Sequence, residues 1–172
     1  PWMEKVETNR KNEMSRLLAE AYYYEANYQK SVDYFSTYFE SPSNVTRDDY
    51  YAYGYSLYKT GDYDLAITQF NRVINEKDAL TQVALLNMGD CYLKLEKFKN
   101  AQNAFKSASS FDFDPTIKEE AFFNYAKLSY QLSFDPYDEA IQAFEKYLDT
   151  YPHSEKKQEA YMFLVNVYMK TK

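Results

Sequence analysis

The sequence predicts an all-α fold, an α-α solenoid of four helix hairpins followed by a final unpaired helix. Three observations carry this. Only 3 Gly and 5 Pro occur in 172 residues, too few backbone breakers for a many-stranded β fold. Apolar and small residues recur at helical spacing. The chain also matches itself at a step of 35 residues, a period that belongs to stacked helix pairs.

The third unit, 83–117, is the clearest. Its stretch "LLNMGDCYLKLEKFKNAQNAF" places Leu85, Met88, Gly89 and Tyr92 on a first helix and Ala101 and Phe105 on a second. One step back, unit 48–82 repeats the set as Tyr50, Tyr53, Gly54, Leu57, Ala66 and Phe70. Another step back, unit 13–47 gives Ser15, Leu18, Ala19, Tyr22, Ser31 and Phe35, after a lead-in at 1–12. Forward, unit 118–157 supplies Phe122, Tyr125, Ala126, Ala140, Phe144 and Pro152, with Asp135 and Pro136 marking a lengthened turn. Residues 158–172 reproduce a first helix through Tyr161, Leu164, Val165 and Tyr168.

These residue types have a physical reason. A small residue at Ala19, Gly54, Gly89 or Ala126 lets the second helix of its unit approach closely, and Ala66, Ala101 or Ala140 does the same from the other side. Large aromatics fill the remaining gaps. Gly61 ends a first helix and Asp62 or Asp64 caps the next. Tyr28, Tyr63, Phe98 and Tyr137 recur at one turn position, where they can pack under the hairpin. No pair alone buries its apolar face, so stacking makes the core.

Composition excludes several function classes. The formal net charge is −6, without the basic footprint that phosphate backbones require, so nucleic acid is not expected as a partner. No run of 18 apolar residues appears, and direct membrane insertion is not expected. The opening "PWMEKVETNR" reads as a segment excised from a longer protein.

Catalytic and cofactor chemistry is not expected either. His153 is the sole histidine, in the loop "TYPHSE", and offers neither a triad nor a zinc site. Cys91 falls inside a helix and reads as a small buried side chain. The acids of "FDFDPTIKEE" lack the turn glycine and carboxylate spacing of a calcium loop. Asp114 and Pro115 instead end one unit, and the acids open the next helix, where its dipole favours them. No metal or cofactor is assigned.

The distinctive stretch is "DDYYAYGYSLY", with five tyrosines from Tyr50 to Tyr58. Tyr50 and Tyr53 hold core registers. Tyr51, Tyr55 and Tyr58 share one other helical stripe. Tyrosine there adds a rigid apolar surface and keeps a hydroxyl for a partner. The competing reading packs these rings between neighbouring repeats.

The spacing Leu85, Met88, Gly89, Tyr92, Ala101 and Phe105 resembles the tetratricopeptide repeat (TPR) signature, and the resemblance extends over about residues 13–170. It implies a right-handed superhelix in which first helices line a concave face. The stripe residues would then form a groove for a protein or peptide, drawn from Tyr23, Tyr51, Tyr55, Tyr58, Leu86, Asp90, Phe123 and Tyr130. A non-enzymatic interaction scaffold follows from that resemblance, with a structural spacer as the alternative and carbohydrate binding as a third reading. TPR domains that hold chaperone tails carry Lys, Asn and Arg on this face. Arg16, Glu20, Tyr51, Tyr55, Leu86 and Asp90 stand there instead and depart from that clamp. Tyr151, Pro152, Ser154, Ala160 and Tyr161 resemble links in TPR proteins of Gram-negative envelopes. That implies a periplasmic or outer-membrane-associated setting, with the cytoplasm as the alternative. The open last helix also offers a face for self-association.

Overall fold

The computed structural model describes residues 2–133 and 137–170. The lengthened turn expected at Asp135 and Pro136 lies outside the described residues. Among them are nine helices and no strand: α1 (Trp2–Tyr24), α2 (Tyr28–Glu40), α3 (Arg47–Thr60), α4 (Tyr63–Phe70), α5 (Ala79–Lys94), α6 (Phe98–Ala108), α7 (Pro115–Leu132), α8 (Asp138–Thr150) and α9 (Lys157–Lys170). Consecutive helices pair as α1 with α2, α3 with α4, α5 with α6 and α7 with α8. The region read as a lead-in is helical from Trp2 and continuous with the rest of α1. The chain forms two compact units, Pro1–Glu76 and Lys77–Lys172.

Within each hairpin the same contact recurs. Phe35, Phe70, Phe105 and Phe144 of the second helices are all fully buried, as are Ala66, Ala101 and Ala140 one turn earlier on the same helices as the last three. A Cβ built on Gly89 would stand 2.5 Å from a ring carbon of Phe105, and one on Gly54 would stand 3.0 Å from Phe70. The first distance is impossible without displacement of the phenylalanine, so the closeness of α5 and α6 requires glycine.

The turns inside the hairpins also repeat. Ala26, Gly61 and Glu96 have φ of 57°, 94° and 57°, and they lie 35 residues apart. In each turn the next amide donates back to a carbonyl five residues earlier: Asn27 to Tyr22, Asp62 to Leu57 and Lys97 to Tyr92, all at 2.9 Å. This is the Schellman closure of a helix end, and it needs a left-handed residue. Only Gly61 adopts that conformation without a Cβ penalty. The following helix is then capped by Asn27 or Asp62 through the amide three residues on. Lys97 makes no such side-chain bond.

Buried polar groups tie helices together. In the first unit, Ser56 Oγ donates to Ser31 Oγ at 3.0 Å, and Ser31 donates to the Ala19 carbonyl at 2.9 Å. Arg47 closes the end of α4, donating through Nη2 to the Val73 carbonyl at 2.7 Å. In the second unit, Gln82 bridges three carbonyls and accepts from the Asp114 amide at 2.8 Å. Gln102 likewise donates to Ser129 at 2.9 Å. Such satisfied amides cost little to bury and fix which helix faces which.

Two stability effects follow. Glu96→Gly removes the left-handed penalty and should raise stability by about 1 kcal/mol, read as a higher midpoint in urea. Gly89→Ala should lower it by about 1–3 kcal/mol through overpacking against Phe105, with a smaller loss for Gly54→Ala. An unchanged midpoint for Gly89→Ala would mean that α5 and α6 separate without cost.

Candidate functional site

The tyrosines of α3 sort largely as their helical register requires. Tyr53 is buried, and Tyr50 is half-buried with its ring centroid 5.3 Å from that of Phe39. Tyr51, Tyr55 and Tyr58 are half-buried. They form a ladder along the helix, Tyr51 to Tyr55 at 6.0 Å and Tyr55 to Tyr58 at 6.0 Å between ring centroids. Tyr23 of α1 meets Tyr55 edge-on at 5.9 Å, and Tyr28 meets it at 5.7 Å. Both expected behaviours therefore coexist in the first unit: the rings pack between neighbouring hairpins and still keep part of their surface open.

The ladder extends further than its helical stripe. Tyr24, 83% exposed, leans against Tyr23 at 5.3 Å. Tyr28 and Tyr63, from the recurring turn position, pack against Tyr23 at 6.4 Å and Tyr58 at 6.2 Å. Tyr24 was not among the expected site residues, although "YYY" at 22–24 announces it. Lys59 places its ammonium 5.1 Å from the centroid of Tyr55 and 5.4 Å from that of Tyr58. Burial among these rings pushes the Tyr23 phenol up to about 12, with Tyr55 adding to the effect, so it stays a neutral hydrogen-bonding group.

Beside this face Arg16 holds three carboxylates. Its guanidinium lies 2.7 Å from Glu13, 2.7 Å from Glu20 and 3.4 Å from the buried Asp49. The hydrogen bond from Arg16 lowers the Glu13 carboxyl, whereas burial raises that of Glu20. Asp49 also closes a capping box with Thr46 at the start of α3. Arg16 is thus committed to positioning α3 against α1.

In the second unit the expected groove residues divide differently. Phe123 is only 3% exposed. The Tyr147 ring lies 5.2 Å from it, and the ammonium groups of Lys127 and Lys156 each lie 5.5 Å from its centroid. Leu86 is 9% exposed and sits in an unbroken buried run from Ala84 to Gly89. A run of that length covers every side of a helix, so no open stripe exists at this level of α5. Leu86 and Phe123 are core residues, a correction to the groove assignment. Asp90 is half-buried. Tyr130 is half-buried, with Phe163 at 5.4 Å and Tyr137 at 6.3 Å, and its hydroxyl accepts from Lys170 at 2.9 Å.

The residues with chemical potential are engaged structurally. Burial, with Asp90 nearby, pushes the Cys91 thiol up to about 12, leaving it protonated at neutral pH. Asp114 accepts from the amides of Thr116 and Ile117 at 2.8 and 3.1 Å, opening α7 as an N-cap with Pro115 next to it. Asp112 pairs with Lys118. The serine of the "YPHS" link, Ser154, joins the hydroxyl of Tyr147 and the carboxylate of Glu119, with Tyr147 donating to Glu119 at 3.0 Å.

Two family models match this chain. Residues 41–108 match "Anaphase-promoting complex, cyclosome, subunit 3", and residues 120–154 match "Tetratricopeptide repeat". With the hairpin geometry, these matches support the TPR family. TPR proteins are generally scaffolds that bind protein partners rather than enzymes. Among solved structures, the yeast histone chaperone Hif1, described as a scaffold protein recruiting protein complexes to core histones, shares the fold with a TM-score of 0.63 and 10% identity. That similarity covers 98% of this chain and 96% of the chain in that structure. The MamA RS-1 ArsTM double mutant has a TM-score of 0.59 and 18% identity, over 92% of this chain and 93% of its own. At such identities the likeness is one of fold. No curated protein matches the sequence significantly.

Tyr55 contacts four rings, each pair contributing about 0.5–1.5 kcal/mol. Tyr55→Ala should therefore lower stability by about 2–4 kcal/mol, whereas the exposed Tyr24→Ser should change it by less than about 0.5 kcal/mol. Urea denaturation of both variants would check the contrast. Cys91 in the folded chain should resist iodoacetamide at pH 8 and react promptly in denaturant. Rapid native-state alkylation would mean that helix α5 opens readily.

Proposed function

We propose that this chain is a non-enzymatic TPR scaffold whose α1 and α3 tyrosine face, in the first unit, holds an apolar peptide segment or a partner helix. One observation supports the reading above others: Tyr23, Tyr51, Tyr55 and Tyr58 form a connected ring ladder that is only half-buried. A ladder packed for stability alone has no need of open faces edged by phenols and by Lys59. Such a surface offers rigid rings with few rotatable bonds, the chemistry enriched at binding hot spots. Tyr24 extends it at its most exposed point. Leu86 and Phe123 are excluded from it by burial.

The proposal includes an envelope setting, periplasmic or outer-membrane associated, on the resemblance of the Tyr151, Pro152 and Ser154 link and of Ala160 and Tyr161. No helix among the described residues is long and apolar enough to cross a membrane.

The test compares the parent with Tyr24→Ser/Tyr58→Ser, once circular dichroism shows equal helicity, in quantitative capture from envelope extract and then by calorimetry on the recovered partner. The expected result is at least a tenfold weaker affinity for the double variant. Equal affinity would remove the tyrosine face from recognition, and no captured partner would favour the spacer.

A further inference from the structure

The second unit has a cavity of about 510 Å³ between α6, α7 and α8, built from residues that the tyrosine face does not use. Phe122 and Tyr125 of α7 are stacked along its wall, with centroids 6.3 Å apart and ring planes 27° from parallel. Lys106 of α6 sets its ammonium 5.3 Å from the Tyr125 centroid, and Lys146 of α8 sets its own 5.8 Å from that of Phe122. Three helices thus assemble one sequence of contacts: ammonium, ring, ring, ammonium.

This arrangement leaves positive charge available. A ring face attracts an ammonium group and restrains it without cancelling its charge, whereas a carboxylate would cancel it. Among the described residues neither Lys106 nor Lys146 is in an ion pair. Lys118, also on the wall, is different because it pairs with Asp112. Among the described lining residues the one carboxylate, Glu139, accepts from the Tyr125 hydroxyl at 3.0 Å. Two uncancelled cations beside an apolar wall reverse the local sign of a chain whose net charge is −6.

The lining also narrows the ligand class. Neither an arginine nor a glycine is among the described lining residues, so these supply neither the guanidinium fork nor the glycine-rich backbone nest that grips phosphoryl groups. Lysines act as separate point charges, each able to meet one carboxylate. The volume falls in the range of small binding sites and suits one or two side chains.

We propose that this cavity binds an acidic peptide segment of a partner protein, an apolar side chain resting on the half-buried Tyr125 ring while flanking carboxylates meet the exposed Lys106 and Lys146. The site is independent of the tyrosine face and of what that face holds.

The experiment titrates the ¹⁵N-labelled full chain with acetylated Glu-Glu-Leu-Glu-Glu, with the matching Lys-Lys-Leu-Lys-Lys and with inorganic phosphate. The acidic peptide is expected to shift amides around Lys106, Phe122, Tyr125 and Lys146, and to weaken as salt is added. Lys106→Glu/Lys146→Glu, both changes at exposed positions, should weaken it at least tenfold with unchanged helicity. Tyr24→Ser/Tyr58→Ser should leave it unaltered, which separates this site from the tyrosine face. Absent shifts, shifts elsewhere, or equal affinity of the charge-reversed variant would overturn the proposal. Phosphate binding as tightly as the acidic peptide would overturn it too, reducing the cavity to a simple anion site.

Discussion

The structure depends on one contact, seen between α3 and α4 and again between α5 and α6: a phenylalanine of the second helix lying against a glycine on the first. Phe105 against Gly89 is its tightest form, with no room for a Cβ. Everything else in a hairpin is scaled to that distance. Once the helices are so close, residues beside the contact cannot reach water, which is why Ala66, Ala101 and Ala140 are fully buried. The aromatic excess of the chain then fills the wider gaps between hairpins, where a flat, rigid ring covers more surface per rotatable bond than an aliphatic chain.

Polar groups act on the same geometry from the outside. Ser31 with Ser56, Gln102 with Ser129 and Arg47 with the Val73 carbonyl join neighbouring helices at fixed points. Arg16, surrounded by Glu13, Glu20 and Asp49, holds α1 to the start of α3. Apolar packing alone leaves rotation about the helix axis weakly specified, and these directional bonds select one rotation. That rotation decides which tyrosine faces open. The proposed tyrosine surface is thus a by-product of how α3 is anchored, and the lysine-edged cavity depends in the same way on how α6, α7 and α8 meet.

Much of the hairpin architecture was legible because it rests on short-range rules. The spacing from Gly54 to Ala66 and Phe70 returns in Gly89, Ala101 and Phe105, and a repeated spacing implies a repeated contact. Gly61 and Asp62 marked a helix end and a helix start by their backbone preferences. The candidate site was legible only in part. Helical register identified Tyr51, Tyr55 and Tyr58 as one stripe, yet it treated every first helix alike and so included Leu86 and Phe123.

The sequence by itself determined the all-α hairpins, their 35-residue step and the residues meeting inside each one, since these follow from periodicity and side-chain size. Tertiary structure alone decided exposure. Tyr147 of α8 and Lys156 of the loop before α9 cover Phe123, and α5 is buried on all sides around Leu86. It also brought Lys106 and Lys146, 40 residues apart, to adjoining rings of one helix. Register fixes the direction of a side chain relative to its own helix, but accessibility depends on neighbours that are distant in sequence, and no local spacing encodes them.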